Sequence, residues 1–250
     1  MIRLVHAELL KLRTTQVWFW LLIADIAIGA AVAVGSLASH DAINEAKDVP
    51  YLFATSNGAL ITAFVLGVLG ITTEFRHQTI TPTVLATPSR WAIVTAKMIT
   101  YAAVGVAYAA ACVGVQLAIA LPWLSAKHID VNFHDHNLQR ALLGMLGVFA
   151  LFALFGIGLG SLLRNQILTV TLGLVFLLLL QNLIAVIPVI RDAWPYTPAG
   201  ATIAVVYPYE HAKGDNVQLL HAPGGVLVLL LWALIPAMIG AALTLNRDIT

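Results

Sequence analysis

The sequence predicts an all-α, polytopic membrane protein with six transmembrane helices. An N-terminal interfacial helix and a short cytoplasmic helix between the second and third spans complete the plan. Three observations predict it. Of 250 residues, 60% are hydrophobic and only 10% are charged, where a soluble domain carries about a quarter charged residues. Six apolar stretches approach or exceed the ~20 residues of helix that cross a ~30 Å hydrocarbon core. Lysine and arginine gather on one set of the segments that join those stretches, which fixes an orientation.

The N-terminal residues 1–13 come first. At 100° per residue, Ile2, Val5, Leu9 and Leu12 fall on one narrow arc, and Arg3, Glu8 and Lys11 lie away from it. A basic amphipathic helix of this kind lies in the headgroup layer; a plain positive flank to the first span is the other reading. Span one is expected at Val17–Leu37. It is longer than the ~7–15 apolar residues of a secretory signal, so it reads as a retained anchor. The remaining spans are expected at Asn57–Thr73, Val94–Leu121, Ala141–Leu163, Ile167–Ile190 and Gly225–Leu245. Only Arg164-Asn165-Gln166 separates the fourth from the fifth, so these two form a tight helical hairpin. With both termini cytoplasmic, eight of the thirteen basic residues fall inside (Arg3, Lys11, Arg13, Arg76, Arg90, Lys97, Arg164 and Arg247) and five outside. No repeat or linker interrupts the pattern, so residues 1–250 are read as a single transmembrane domain.

Several chemistries are excluded or weakened by composition. The basic residues are scattered and form no run, so no nucleic-acid partner is expected. Cys112 is the only cysteine, which rules out an intrachain disulfide and a cysteine-based metal cluster. None of the five lysines follows a glycine, so the phosphate-cradling G-x-x-x-x-G-K-[ST] loop is missing. Six histidines fall on the outer side in this topology. His134 and His136, near Asp130 and Asp135, offer imidazoles of the kind that ligate zinc or copper, but H-x-H in a polar loop reads equally as solvated. Metal is not expected, and no nucleophile stands at a recognisable spacing for catalysis by these histidines.

Polar residues inside the spans carry the next expectations. Asp25 lies about 12 Å into span one at 1.5 Å per residue. An unpaired carboxylate there costs at least ~2.5 kcal/mol, so Asp25 is expected to face protein or water. It then lines the substrate route or a dimer seam, or serves as a hydrogen-bonded structural residue. Gln116, Gln181 and Asn182 suit interhelical hydrogen bonds. Gly156 and Gly160 give a small-xxx-small packing signal in span four. The outer segment 191–224 is rich in Pro, Tyr and Trp; aromatics favour the headgroup layer, so it reads as an outer cap, with short re-entrant helices before span six.

The segment Glu74 to Arg90, EFRHQTITPTVLATPSR, is too polar to span and too short to be a domain. Thr81-Pro82 suits an N-cap and first helical position, and Thr87-Pro88 suits a stop. A helix of one or two turns carrying Val84 and Leu85 is therefore expected to project into the cytoplasm, either as a docking knob or as an ordinary positive-inside loop.

Here the layout resembles a known family. The N-terminal interfacial helix, the six spans and TEFRHQTI…VLATPSR after span two look like the type-2 permeases of bacterial ATP-binding cassette exporters. That resemblance implies that Glu74 precedes a coupling helix seated in a groove of an ATPase subunit. It assigns Glu74, Arg76, Thr79, Thr83, Leu85, Pro88 and Arg90 to the coupling region; Thr81 and Pro82 stand where that family often has basic residues. It also implies two separate ATPase subunits carrying ATP and Mg, a second permease chain, and a place in the cell membrane. The chain itself is then no enzyme and holds no cofactor. The expected function is efflux of an amphipathic drug, lipid or peptide. Ion-coupled secondary transport centred on Asp25, and an outer-surface enzyme acting through its histidines, are the competing readings.

Overall fold

The computed structural model describes residues 2–39, 48–54, 57–76, 90–207 and 219–245. Among the described residues every regular element is helical, and six helices are long and apolar enough to cross a membrane. Span one is Val17–Ala38, span two Asn57–Arg76, span three Arg90–Ala126 and span four His136–Leu163. Span five runs from Gln166 to Val186 and span six from Ala222 to Leu245. The N-terminal helix is Ile2–Thr14, joined to span one through Thr15 and Gln16.

Boundaries move where local chemistry outweighs hydropathy. Span three continues through Pro122 to Ala126, past the Leu121 expected from composition. Span four begins at His136, five residues early, because the Asp135 carboxylate accepts from the Asn137 amide and caps it. Span five ends at Val186 and not at Ile190. Ile187 precedes Pro188 and is extended, at φ −80° and ψ 115°, as a residue before proline must be. Its middle also widens into one π turn, Phe176–Leu180. The fourth and fifth spans do form a tight hairpin: Arg164 takes a left-handed conformation, and the Asn165 side chain accepts from Leu168 N at 3.1 Å.

Span four is the hub, packed against spans two, three and six. Its closest neighbour is span two, and glycine makes that approach possible. A Cβ on Gly156 would overlap the Phe64 carbonyl oxygen, and one on Gly67 would overlap that of Ala153. Each helix thus presents a bare backbone patch to the other, the small-residue packing read from Gly156 and Gly160. Tilted rings fill the space beside this crossing: Phe64 and Phe155 have centroids 5.2 Å apart, and Trp232 of span six lies 5.6 Å from Phe155 and 5.0 Å from Phe176.

The segment expected as an outer cap builds a 3-10 turn, Arg191–Tyr196, and a nine-residue helix, Pro198–Val206. Thr197 caps this short helix, Pro198 opens it, and all but Ile203 of its residues are buried. Arg140 of span four closes its far end, donating to the Ala204 and Val205 carbonyls at 2.6 and 3.1 Å. Residues 208–218 lie outside the described residues. Gln181 links span five to the cap, since its side-chain oxygen accepts from Ala199 N at 3.1 Å. Asn182 departs from the interhelical expectation: its exposed amide donates to Leu178 O of its own helix at 2.7 Å.

Candidate functional site

Four charged side chains meet where the N-terminal helix, the end of span two and the start of span three come together. Sequence periodicity sets Glu8 off the apolar arc of the N-terminal helix, and the structure buries it. Glu8 is 5% exposed and Ile2 is 87% exposed. Glu8 is drawn in by Lys97, which is 2% exposed although it stands on a span. Lys97 Nζ lies 2.5 Å from Glu8 Oε2 and 3.0 Å from Glu74 Oε1. Its third donor goes to the Gly70 carbonyl at 3.0 Å, so the ammonium is fully satisfied. Lys11 Nζ closes a ring, 2.7 Å from Glu8 Oε1 and 2.9 Å from Glu74 Oε1. Two cations alternate with two anions, and the ring has no net charge.

Small residues and aromatic cover make room for this. A Cβ on Gly70 would overlap the Tyr101 ring, so glycine lets Tyr101 lie against span two. The same ring sits 5.6 Å from Lys97 Nζ and adds a cation–π contact. On the other side Arg164, in the turn between spans four and five, lies 5.9 Å from the Phe75 ring. The charge ring therefore binds the N-terminal helix to spans two and three, at the end of the bundle that also holds the turn between spans four and five.

The electrostatics of the two N-terminal residues give a pH window. Burial alone would raise the Glu8 carboxyl, but Lys97 and Lys11 together outweigh it and hold Glu8 below its ordinary 4.5. Burial alone would lower Lys11, but Glu8 and Glu74 outweigh it and hold the amine above its ordinary 10.5. A lowered carboxyl stabilises the fold above its unfolded value, and that contribution is lost as pH falls through the lower folded value. A raised amine stabilises below its unfolded value and is lost as pH rises through the higher folded one. Thermal unfolding of the purified protein is thus expected to show a plateau from pH 5 to 10 for this ring's contribution. In Glu8→Gln the stability is lower throughout, and this group's fall on the acid side should disappear.

The residues singled out from sequence divide three ways. Glu74 is in the ring, and Arg76 ends span two beside it, exposed and with no partner among the described residues. Thr79, Thr83, Leu85 and Pro88, with the coupling helix expected around them, lie outside the described residues; Arg90 starts span three. Asp25 is 0% exposed, and the Thr62 hydroxyl of span two stands 2.9 Å from its Oδ1. One turn further, a Cβ on Gly29 would lie 2.8 Å from Cys112 Sγ, so spans one and three close directly over this level. The Asp135 carboxylate caps span four, and beside it the backbone amide of His134 donates to Asn132 Oδ1 at 2.9 Å. No three His, Cys, Asp or Glu side chains converge as a metal site among the described residues.

Sequence reasoning missed Glu8 and Lys97. The signal for Lys97 was available, because it stands inside an apolar stretch as Asp25 does, and an ionisable residue there must find a partner. Nothing local identifies that partner: Glu8 is 89 residues away.

Residues 4–180 match a family described as ABC-2 family transporter protein. No curated protein matches the sequence.

Proposed function

This chain belongs to the ABC-2 transporter family and is a permease subunit of an ABC transporter, and from that premise we propose that it exports an amphipathic substrate (drug, lipid or peptide) at the expense of ATP hydrolysed elsewhere. The whole of 1–250 acts as one multi-pass unit in the cell membrane, with both termini cytoplasmic. Two permease chains, identical or homologous, form the route between them, and two ATPase subunits holding ATP and Mg sit on the cytoplasmic face. Segment 74–90 is the contact with an ATPase, through Glu74, Arg76, Thr79, Thr83, Leu85, Pro88 and Arg90. No bond is made or broken in this chain.

The observation that carries this reading is the charge ring at the root of that segment. Glu74 stands where the chain leaves span two, and Lys97 lies seven residues after it enters span three. Glu8 is bound to Lys97 and, through Lys11, to Glu74. A push on the segment from an ATPase is therefore delivered to three helices together, as a buried ion network resists separation of its members. The exposed Ile2, Leu9 and Leu10 support placing the N-terminal helix against lipid, where it turns that push into motion along the membrane surface.

The test is purification of the full chain from its native host, followed by identification of what accompanies it. An ATPase subunit is expected, and it should be lost when Arg76 and Arg90 are both changed to glutamate. In vesicles, export should stop when ATP is withdrawn and persist with an uncoupler while ATP is maintained. Export should also survive Asp25→Asn, which keeps the acceptor facing Thr62. Export that an uncoupler abolishes at constant ATP, and that Asp25→Asn removes, would instead indicate ion-coupled transport.

A further inference from the structure

A cavity of about 410 Å³ opens beside the charge ring, between the N-terminal helix and spans one, two, three and five. This is the size of a small-molecule site, and its lining is graded. Its lining includes Lys11, Arg76 and Gln166. Arg76 is the last residue of span two, and Gln166 the first of span five, so these residues mark the level where helices leave the hydrocarbon. The floor is apolar, with Trp18 of span one and Leu66 and Leu69 of span two. Leu69 and Leu66 lie seven and ten residues before Arg76, which at 1.5 Å per residue is about 10 to 15 Å deeper.

The charges decide what this shape takes. Glu8, Glu74, Lys11 and Lys97 neutralise one another around the ring. Arg76 remains as a cation with no partner among the described residues. The side-chain oxygen of Gln166 is buried with no hydrogen-bond partner, and a buried acceptor left so costs about 1–3 kcal/mol. The cavity thus offers a guanidinium to an anion, an acceptor to a hydroxyl or ammonium donor, and an apolar slot running inward from both.

We propose that this cavity binds an anionic glycerophospholipid of the adjoining leaflet. Its phosphate lies on Arg76, a headgroup hydroxyl donates to Gln166, and the first part of an acyl chain runs over Trp18, Leu66 and Leu69. The bound lipid joins the N-terminal helix to span two beside the charge ring and stiffens the junction that Glu8 and Lys97 form. Every residue that lines this site comes from one chain. It rests on the orientation proposed above for which leaflet supplies the lipid, and it shares Arg76 with the ATPase contact proposed there.

The experiment measures lipid binding and not transport, so its failure leaves the permease reading intact. The full chain, purified in neutral detergent with any subunits that accompany it, is titrated with phosphatidylglycerol, phosphatidylcholine or inorganic phosphate. Melting temperature and lipid adducts by native mass spectrometry are followed. Phosphatidylglycerol is expected to bind and raise the melting temperature, phosphatidylcholine much less, and phosphate alone not at all. Arg76→Gln should weaken phosphatidylglycerol about fivefold, the effect of one basic side chain near a headgroup. Leu69→Trp, which fills the slot, should abolish its preference, and Gln166→Leu serves if either variant does not fold. Equal response to the two lipids, or a preference that survives all the folded variants, overturns the proposal. A full response to inorganic phosphate overturns it too, in favour of a soluble-anion site.

Discussion

Lys97→Met is expected to lower the melting temperature of the purified protein by on the order of 10 °C and to abolish export. Methionine keeps the length and apolar stem of the side chain but removes the ammonium. Glu8, 5% exposed, and Glu74, 7% exposed, then share only Lys11, and the Gly70 carbonyl loses the donor at 3.0 Å. Breaking a buried pair from one side costs about 3–5 kcal/mol, because the remaining charge stays buried, and 1 kcal/mol moves the midpoint of a chain this size by about 2–4 °C. Neutralising the stranded acids reverses the stability loss: the triple variant Lys97→Met, Glu8→Gln, Glu74→Gln is expected to regain most of the lost melting temperature. It should not regain export, because the linkage between the N-terminal helix and the root of segment 74–90 is gone. A single Lys97→Met variant that melts within about 1 °C of the parent would show that the ring contributes nothing to the fold. Recovery of export in the triple variant would show that it does not transmit force.

Gly156→Ala is expected to be as damaging as many larger changes, and Gly147→Ala in the same span to be nearly neutral. The added carbon at Gly156 meets the Phe64 carbonyl oxygen and, at 2.8 Å, the Val68 amide. Both belong to backbone, which has no rotamer to escape into, so spans two and four must separate. Overpacking a core costs about 1–3 kcal/mol when side chains can adjust; here a loss of about 3 kcal/mol or more is expected, and Gly156→Leu should leave little folded protein. At Gly147 nothing lies within 4 Å of the added carbon, and alanine is the better helix former by about 1 kcal/mol. Yield of monodisperse protein and thermal unfolding of the two variants give the comparison. Equal tolerance at both positions would mean that the two spans do not pack through Gly156.

Much of the fold was readable residue by residue. Hydrophobic length placed six spans, and Arg164-Asn165-Gln166 announced the hairpin that Arg164 and Asn165 then form. Proline 188 carried the information that span five stops early, although an apolar run through Ile190 concealed it. Asp135 likewise carried the early start of span four, which hydropathy cannot register. The candidate site was half legible. Glu74 and Arg76 come forward through the resemblance carried by segment 74–90, but Glu8 reads only as a residue off the apolar arc of an amphipathic helix. Periodicity sorts faces by polarity and so cannot tell a polar face turned to water from one turned to a buried lysine.

The sequence by itself determined that this chain lives in a bilayer and how many times it crosses. Those properties depend on the length and polarity of contiguous residues, which the unfolded chain already possesses. Only the tertiary structure decided that Glu8 and Lys97, 89 residues apart, share one ring with Lys11 and Glu74, and that Gly67 and Gly156 meet backbone to backbone. Both are pairings between distant segments. Burial makes an unmatched charge or an added carbon costly there, so it is packing that selects the partner.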